Sequence, residues 1–273
     1  MKKVLFFLVL IASALTLSGC GPQQGAETLS KAEPTVLPTK PIEETISERP
    51  FISLIPTVDG HWVALEVKKI PQGTKSLEYE LTYFADLEGS KIERGVSSGG
   101  KPVELAGARE FSKKILFGSA SCTTGVCKYK YDEDVSEGML TLKLIGSGQA
   151  AGEEYKSAFR IQKGKEGKEG LTTGDSVFSY ISQTLPANSL YLTISTVGLP
   201  GDLPAEILAK SVPYGVFPSL SGKGTVSFKT EQNSVAIYGF SGKSWQKLPT
   251  EVTDGQATAQ TTGFSLFILA SHP

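Results

Sequence analysis

The chain has 273 residues, with 27 Lys and Arg against 28 Asp and Glu, for a formal net charge of −1 at pH 7. So balanced a composition argues against nucleic acid as a partner. Past the first 20 residues no apolar run approaches ~18 residues, so nothing further along is expected to span a bilayer.

Lys2 and Lys3 open the chain, and Val4 to Leu17 is an apolar run broken only by small Ala, Ser and Thr. It is short for a spanning helix, and its flanks fit an export signal better. Leu17-Ser18-Gly19-Cys20 ends it. This stretch resembles the lipobox of bacterial lipoproteins. The resemblance covers residues 1–20 and implies that Cys20 carries a thioether-linked diacylglycerol, that the preceding peptide is removed, and that the new amine is acylated. The competing readings are an uncleaved anchor and an ordinary signal cut near Ala14. Loss of Lys2 and Lys3 would leave 25 basic against 28 acidic groups, a net −3. Membrane contact would then be through lipid, where one chain holds weakly and two or more hold stably.

Residues 21–50 read as a disordered tether. Pro22, Pro34, Pro38, Pro41 and Pro50 lie among Gln, Thr, Glu and Lys, with no aromatic and no periodic apolar face. Such a segment cannot bury enough surface to fold, and its prolines keep it partly extended.

Residues 51–163 alternate apolar and polar side chains in several runs: Val63, Leu65, Val67; Leu77, Tyr79, Leu81, Tyr83; Leu140, Leu142, Leu144; and Tyr155, Ser157, Phe159, Ile161. Period two with one polar face predicts half-buried antiparallel strands. Gly, Pro, Asp and Ser clusters fall between them. Seven or eight such strands predict a two-sheet sandwich. The strand Leu77-Glu78-Tyr79-Glu80-Leu81 resembles those of fibronectin type III and immunoglobulin-like modules, a likeness that implies a fold and no site residue.

Gly95 to Pro102 nearly matches the phosphate-binding loop G-x-x-x-x-G-K-[ST]. Pro102 stands where a metal-binding hydroxyl belongs, so a loop between strands is the better reading. Further on, Cys122 and Cys127 enclose Thr123-Thr124-Gly125-Val126 between strand-like flanks. With Cys20 lipidated, an even pair remains for a disulfide across a hairpin in an oxidising compartment. A zinc site would need further ligands, and only His61 and His272 are on offer. A redox dithiol would use Cys-x-x-Cys in an α/β setting.

Around that hairpin, Lys113, Lys114, Lys128 and Lys130 with Tyr129 and Tyr131 form a candidate binding surface for an envelope protein or anionic polysaccharide. Lysines on outward strand faces also guard edges against pairing. Asp132-Glu133-Asp134 with Glu137 hints at calcium, but the spacing departs from the EF-hand loop and reads better as a solvated acidic turn. Trp62 and Trp245 sit in apolar patterns and are expected to pack inside.

Residues 164–170, Gly-Lys-Glu-Gly-Lys-Glu-Gly, read as a solvated hinge between domains. Composition changes across it. Residues 51–163 hold 15 basic and 15 acidic groups, whereas residues 171–273 hold 5 and 6. The second half alternates at Leu190, Leu192 and Ile194 and ends in the apolar strand Phe264–Ala270. Asp254-Gly255 signals a tight hairpin, and Pro204–Lys210 suggests a short helix. The run from Ile237-Tyr238-Gly239-Phe240 through Trp245 to Gly263-Phe264-Ser265-Leu266-Phe267 resembles the end of sandwich domains of the ankyrin and netrin-receptor type. Its matching positions are core positions.

The expected architecture is all-β: a lipoprotein signal (1–20), a disordered Pro-rich tether (21–50), an immunoglobulin-like sandwich (51–163), a hinge (164–170) and a second sandwich (171–273). No nucleophile elbow, triad or cofactor fingerprint occurs. The expected function is therefore a non-catalytic binding or structural module, anchored to the bilayer through acylated Cys20 and requiring no cofactor. The other readings are an envelope glycan hydrolase using two carboxylates and a solute-capturing lipoprotein.

Overall fold

The computed structural model describes residues 45–147 and 152–271. Cys20, the export-signal run, the tether up to Glu44, and His272 lie outside the described residues. The first strands are β1 (Phe51–Pro56), β2 (Trp62–Lys68), β3 (Thr74–Leu87), β4 (Ser90–Ser97) and β5 (Val103–Glu104). They are followed by β6 (Phe111–Leu116), β7 (Gly118–Thr123), β8 (Val126–Tyr131), β9 (Glu137–Gly146) and β10 (Glu154–Lys163). A 3-10 turn, Gly164–Lys168, leads into β11 (Leu171–Thr172), β12 (Phe178–Ile181), β13 (Leu190–Ser195), β14 (Leu208–Ala209) and β15 (Tyr214–Phe217). The chain closes with β16 (Lys223–Lys229), β17 (Ala236–Phe240), β18 (Trp245–Lys247), β19 (Thr250–Thr253), β20 (Gln256–Thr262) and β21 (Leu266–Ser271).

The protein is thus nearly all β, and every strand pairing is antiparallel. One eleven-stranded sheet runs through both halves in the order β18-β17-β21-β15-β13-β10-β9-β3-β4, with β14 on β21 and β5 on β3. Alternation along its strands decides what each face buries. In the first half Leu77, Leu81, Leu140, Leu142 and Phe159 point one way and pack with Ile52, Leu54, Val63 and Leu65 of the three-stranded sheet β1-β2-β6. On β13, Leu192 and Ile194 join that core, whereas the adjacent Tyr191 joins the core beneath the five-stranded sheet β11-β12-β16-β20-β19. The two smaller sheets therefore cover opposite faces of the central one. A third cluster, with Phe51, Leu199, Tyr238, Trp245 and Ile268, buries the remaining face of β17 and β21.

Two expectations are corrected by this arrangement. The segment expected as a hinge at 164–170 is a 3-10 turn whose Gly164 and Gly167 are buried. A Cβ on Gly164 would lie 2.1 Å from the Pro186 carbonyl oxygen, so the turn docks by close backbone approach. Across it, Phe159–Lys163 of β10 pairs directly with Leu190–Ile194 of β13. The helix expected over Pro204–Lys210 is a single turn, Ile207 N–H to Pro204 C=O, running into β14 on the edge of β21. No apolar helical face existed there to outweigh strand pairing. The Asp254-Gly255 hairpin forms as the dipeptide predicts: both residues have positive φ, 51° and 75°, between Thr253 and its partner Gln256.

Candidate functional site

Strands β7 and β8 form a hairpin that pairs with no other strand among the described residues. Its root is fixed at three points. Phe117 N–H bonds to His61 C=O, Asp132 N–H bonds to Phe117 C=O, and Gly118 N–H donates to the Tyr83 hydroxyl at 3.0 Å. Beyond the root, Ser119 to Val126 is exposed throughout. The turn is tighter than the four-residue loop the sequence suggested, because Thr123 pairs with Val126 and leaves only Thr124-Gly125 at the tip. Cys122 and Cys127 face each other in that ladder and are joined by a disulfide.

Cross-strand partners share a face of the hairpin. The register Gly118↔Tyr131, Ala120↔Tyr129 and Cys122↔Cys127 sets the tyrosines opposite small residues on one face. Ser119↔Lys130, Ser121↔Lys128 and Thr123↔Val126 occupy the other. The candidate surface Lys113, Lys128, Tyr129, Lys130, Tyr131 is thus divided. Lys113 lies elsewhere again, on the Phe111–Ile115 face of β6 and opposite Leu65.

The tyrosine face leans on β2. Tyr131 stacks on His61 with ring centroids 3.8 Å apart, and Tyr129 meets Trp62 edge to face at 5.5 Å. Tyr129 and Tyr131 are nearly parallel at 6.1 Å, and the Lys114 ammonium sits 4.8 Å from the Trp62 ring centre. Each aromatic contact contributes about 0.5–1.5 kcal/mol beyond burial, so the ladder holds upright a hairpin that has no core of its own. His61 and Trp62 are the partners that sequence reasoning missed, whereas Lys114 was among the lysines it named. The period-two alternation of Cys127-Lys128-Tyr129-Lys130-Tyr131 was the available signal that Lys and Tyr could not share a face. Trp245, by contrast, is buried and donates its indole N–H to Gly201 C=O at 2.9 Å.

At the hairpin root an open groove of ≈ 800 Å³ begins. One wall is Asp59-Gly60-His61, the other is the segment Tyr131–Ser136, and Val135, Ile161 and Leu190 give it an apolar lining. Lys163, Lys165 and Glu166 line it too. The carboxylates differ in standing. Asp132 is nearly buried, accepts from the Tyr83 hydroxyl at 2.8 Å, and lies 3.6 Å from the Arg94 guanidinium. Burial, then the bond to Asp132, pushes the Tyr83 phenol well above its usual range. Asp59 is held below the usual carboxylate range by the Thr57 hydroxyl and by the His61 N–H, and its carboxylate lies 3.2 Å from His61 Nδ1. Glu133 and Asp134 are exposed and make no side-chain hydrogen bond or ion pair among the described residues. Among the described residues no three His, Cys, Asp or Glu gather as a metal-binding group, the acidic turn at Asp132–Asp134 included. The Gly95–Pro102 stretch lies on edge strand β4 and the loop after it.

No family model matches the chain, and no curated protein matches it. Geometry and sequence alone therefore carry the functional reading.

Proposed function

We propose that this protein is a cell-envelope lipoprotein, held to a bilayer by acylated Cys20, whose β body acts as a non-catalytic binding or structural module. The observation that carries the reading is the Cys122–Cys127 disulfide on an exposed hairpin. Disulfides persist in oxidising compartments, which agrees with the export signal read from Lys2 to Leu17. The bond also accounts for two of the three cysteines and leaves Cys20 for lipid. In this reading the two halves are two sandwiches that share their central sheet, and the hairpin is the element displayed to a partner. The test is metabolic labelling with a tagged fatty acid. The wild-type chain should take up label and Cys20→Ala should not, and equal labelling of both would refute the anchor.

A further inference from the structure

The hairpin and the groove at its root are complementary in charge. On the hairpin, Lys128 and Lys130 have no counter-ion among the described residues, and Val126 at the tip is 68% exposed. In the groove, Glu133 and Asp134 have no counter-ion among the described residues either, and Asp59 lines it as well. Basic and acidic residues follow one another in a single stretch: Lys128-Tyr129-Lys130-Tyr131-Asp132-Glu133-Asp134. Such a stretch complements itself when a second copy runs antiparallel to it.

We infer that the Gly118–Tyr131 hairpin is a docking arm for a second copy of this chain. The two arms lie antiparallel about a two-fold axis near Tyr131, and each enters the other's groove. Lys130 and Lys128 of one copy then lie over the Asp132–Asp134 stretch of the other, with Asp59 on the facing wall. Val126 reaches the apolar lining at Val135, Ile161 and Leu190. The tip, Thr123–Val126, carries no charge, so it enters without repulsion from Lys163 and Lys165, which also line the groove. The outer backbone edge of β8 bonds to no strand among the described residues, so main-chain pairing adds to side-chain contacts. A contact in which the same patch serves both partners closes as a dimer and does not propagate. Lysines on an open edge otherwise discourage indiscriminate pairing, and here they select a partner that carries matched acids.

The inference rests on the folded body and not on the lipid anchor. The test is sedimentation of the purified full chain in mild detergent over rising concentration, with Cys20→Ala run alongside to separate arm docking from tail-driven clustering. Both should reach the dimer mass. The pair Lys128→Glu/Lys130→Glu should weaken the dimer about 100-fold, because like charges would face each other across the contact. The pair Glu133→Lys/Asp134→Lys should do the same. All four changes together restore complementarity and should restore the dimer, and mapping the Cys122–Cys127 bond in each variant reports an intact arm. A chain that stays monomeric at every concentration overturns the inference. So does a dimer that survives both reversals, one that the fourfold change fails to rescue, or a monomer that binds an anionic polymer through the same lysines.

Discussion

Tyr83 ties the sheet core to the hairpin root. Its ring packs edge to face against Phe117 at 4.8 Å, and its hydroxyl serves both the Gly118 N–H and the Asp132 carboxylate. Tyr83→Phe keeps the ring but strips a nearly buried carboxylate of a donor, so it should cost about 2 kcal/mol in denaturant unfolding. The folded-state pKa of Tyr83 is raised, so its contribution is fully present below the ordinary tyrosine value of about 10 and is lost as pH rises through the folded value. The gap between wild type and Tyr83→Phe should therefore narrow in alkali, and a gap independent of pH would contradict the assignment. Asp59 behaves in the opposite sense. Its folded pKa is depressed, so its hold on the Thr57–Trp62 turn is present above the ordinary carboxylate range and is lost as pH falls through the folded value. The Tyr83–Asp132 pairing was not legible in the sequence, because the two residues are 49 apart and meet only through the fold.

At the scale of elements, a two-stranded hairpin is marginal in water without support. The disulfide closes so short a loop that it adds only about 2 kcal/mol in a chain-entropy treatment. Removing it in the Cys122→Ser/Cys127→Ser chain should therefore speed amide exchange across Ser119–Lys130 while leaving the midpoint for the whole body nearly unchanged. A large fall in that midpoint would show that the arm is part of the cooperative core. The paired cysteines, the alternating strands and the Asp254-Gly255 turn were legible because each rests on local rules of period two and positive φ. The 3-10 turn at 164–168 was not. Its glycines look like flexible punctuation until Pro186 and Leu185 close over Gly164 and Gly167, at 2.1 and 2.7 Å from where a Cβ would stand.

At the scale of the whole molecule, the sequence marks two halves by composition, and the structure joins them through β10 and β13. Local patterning reports which residues face a core, but the partner of an edge strand is set by distant residues. With Leu192 and Ile194 in one core and Tyr191 in another, neither half can lose β13 without exposing apolar surface of both. Scanning calorimetry should therefore give one transition with matching calorimetric and van't Hoff enthalpies. Two separable transitions would mean that the halves melt independently.

Strand β1 has a mechanical consequence of its own. Phe51 pairs with Lys68 of β2 and also bridges to Val197, Ile52 N–H bonds to Thr196 C=O just past β13, and the Arg49–Pro50 backbone crosses so close to Gly198 that no side chain fits there. A pull on the chain ahead of Thr45 therefore meets its first resistance where the small front sheet and the long central one are stitched to the same few residues. Tension entering at that seam is divided between two layers at once, so the body resists being peeled open from its leading end.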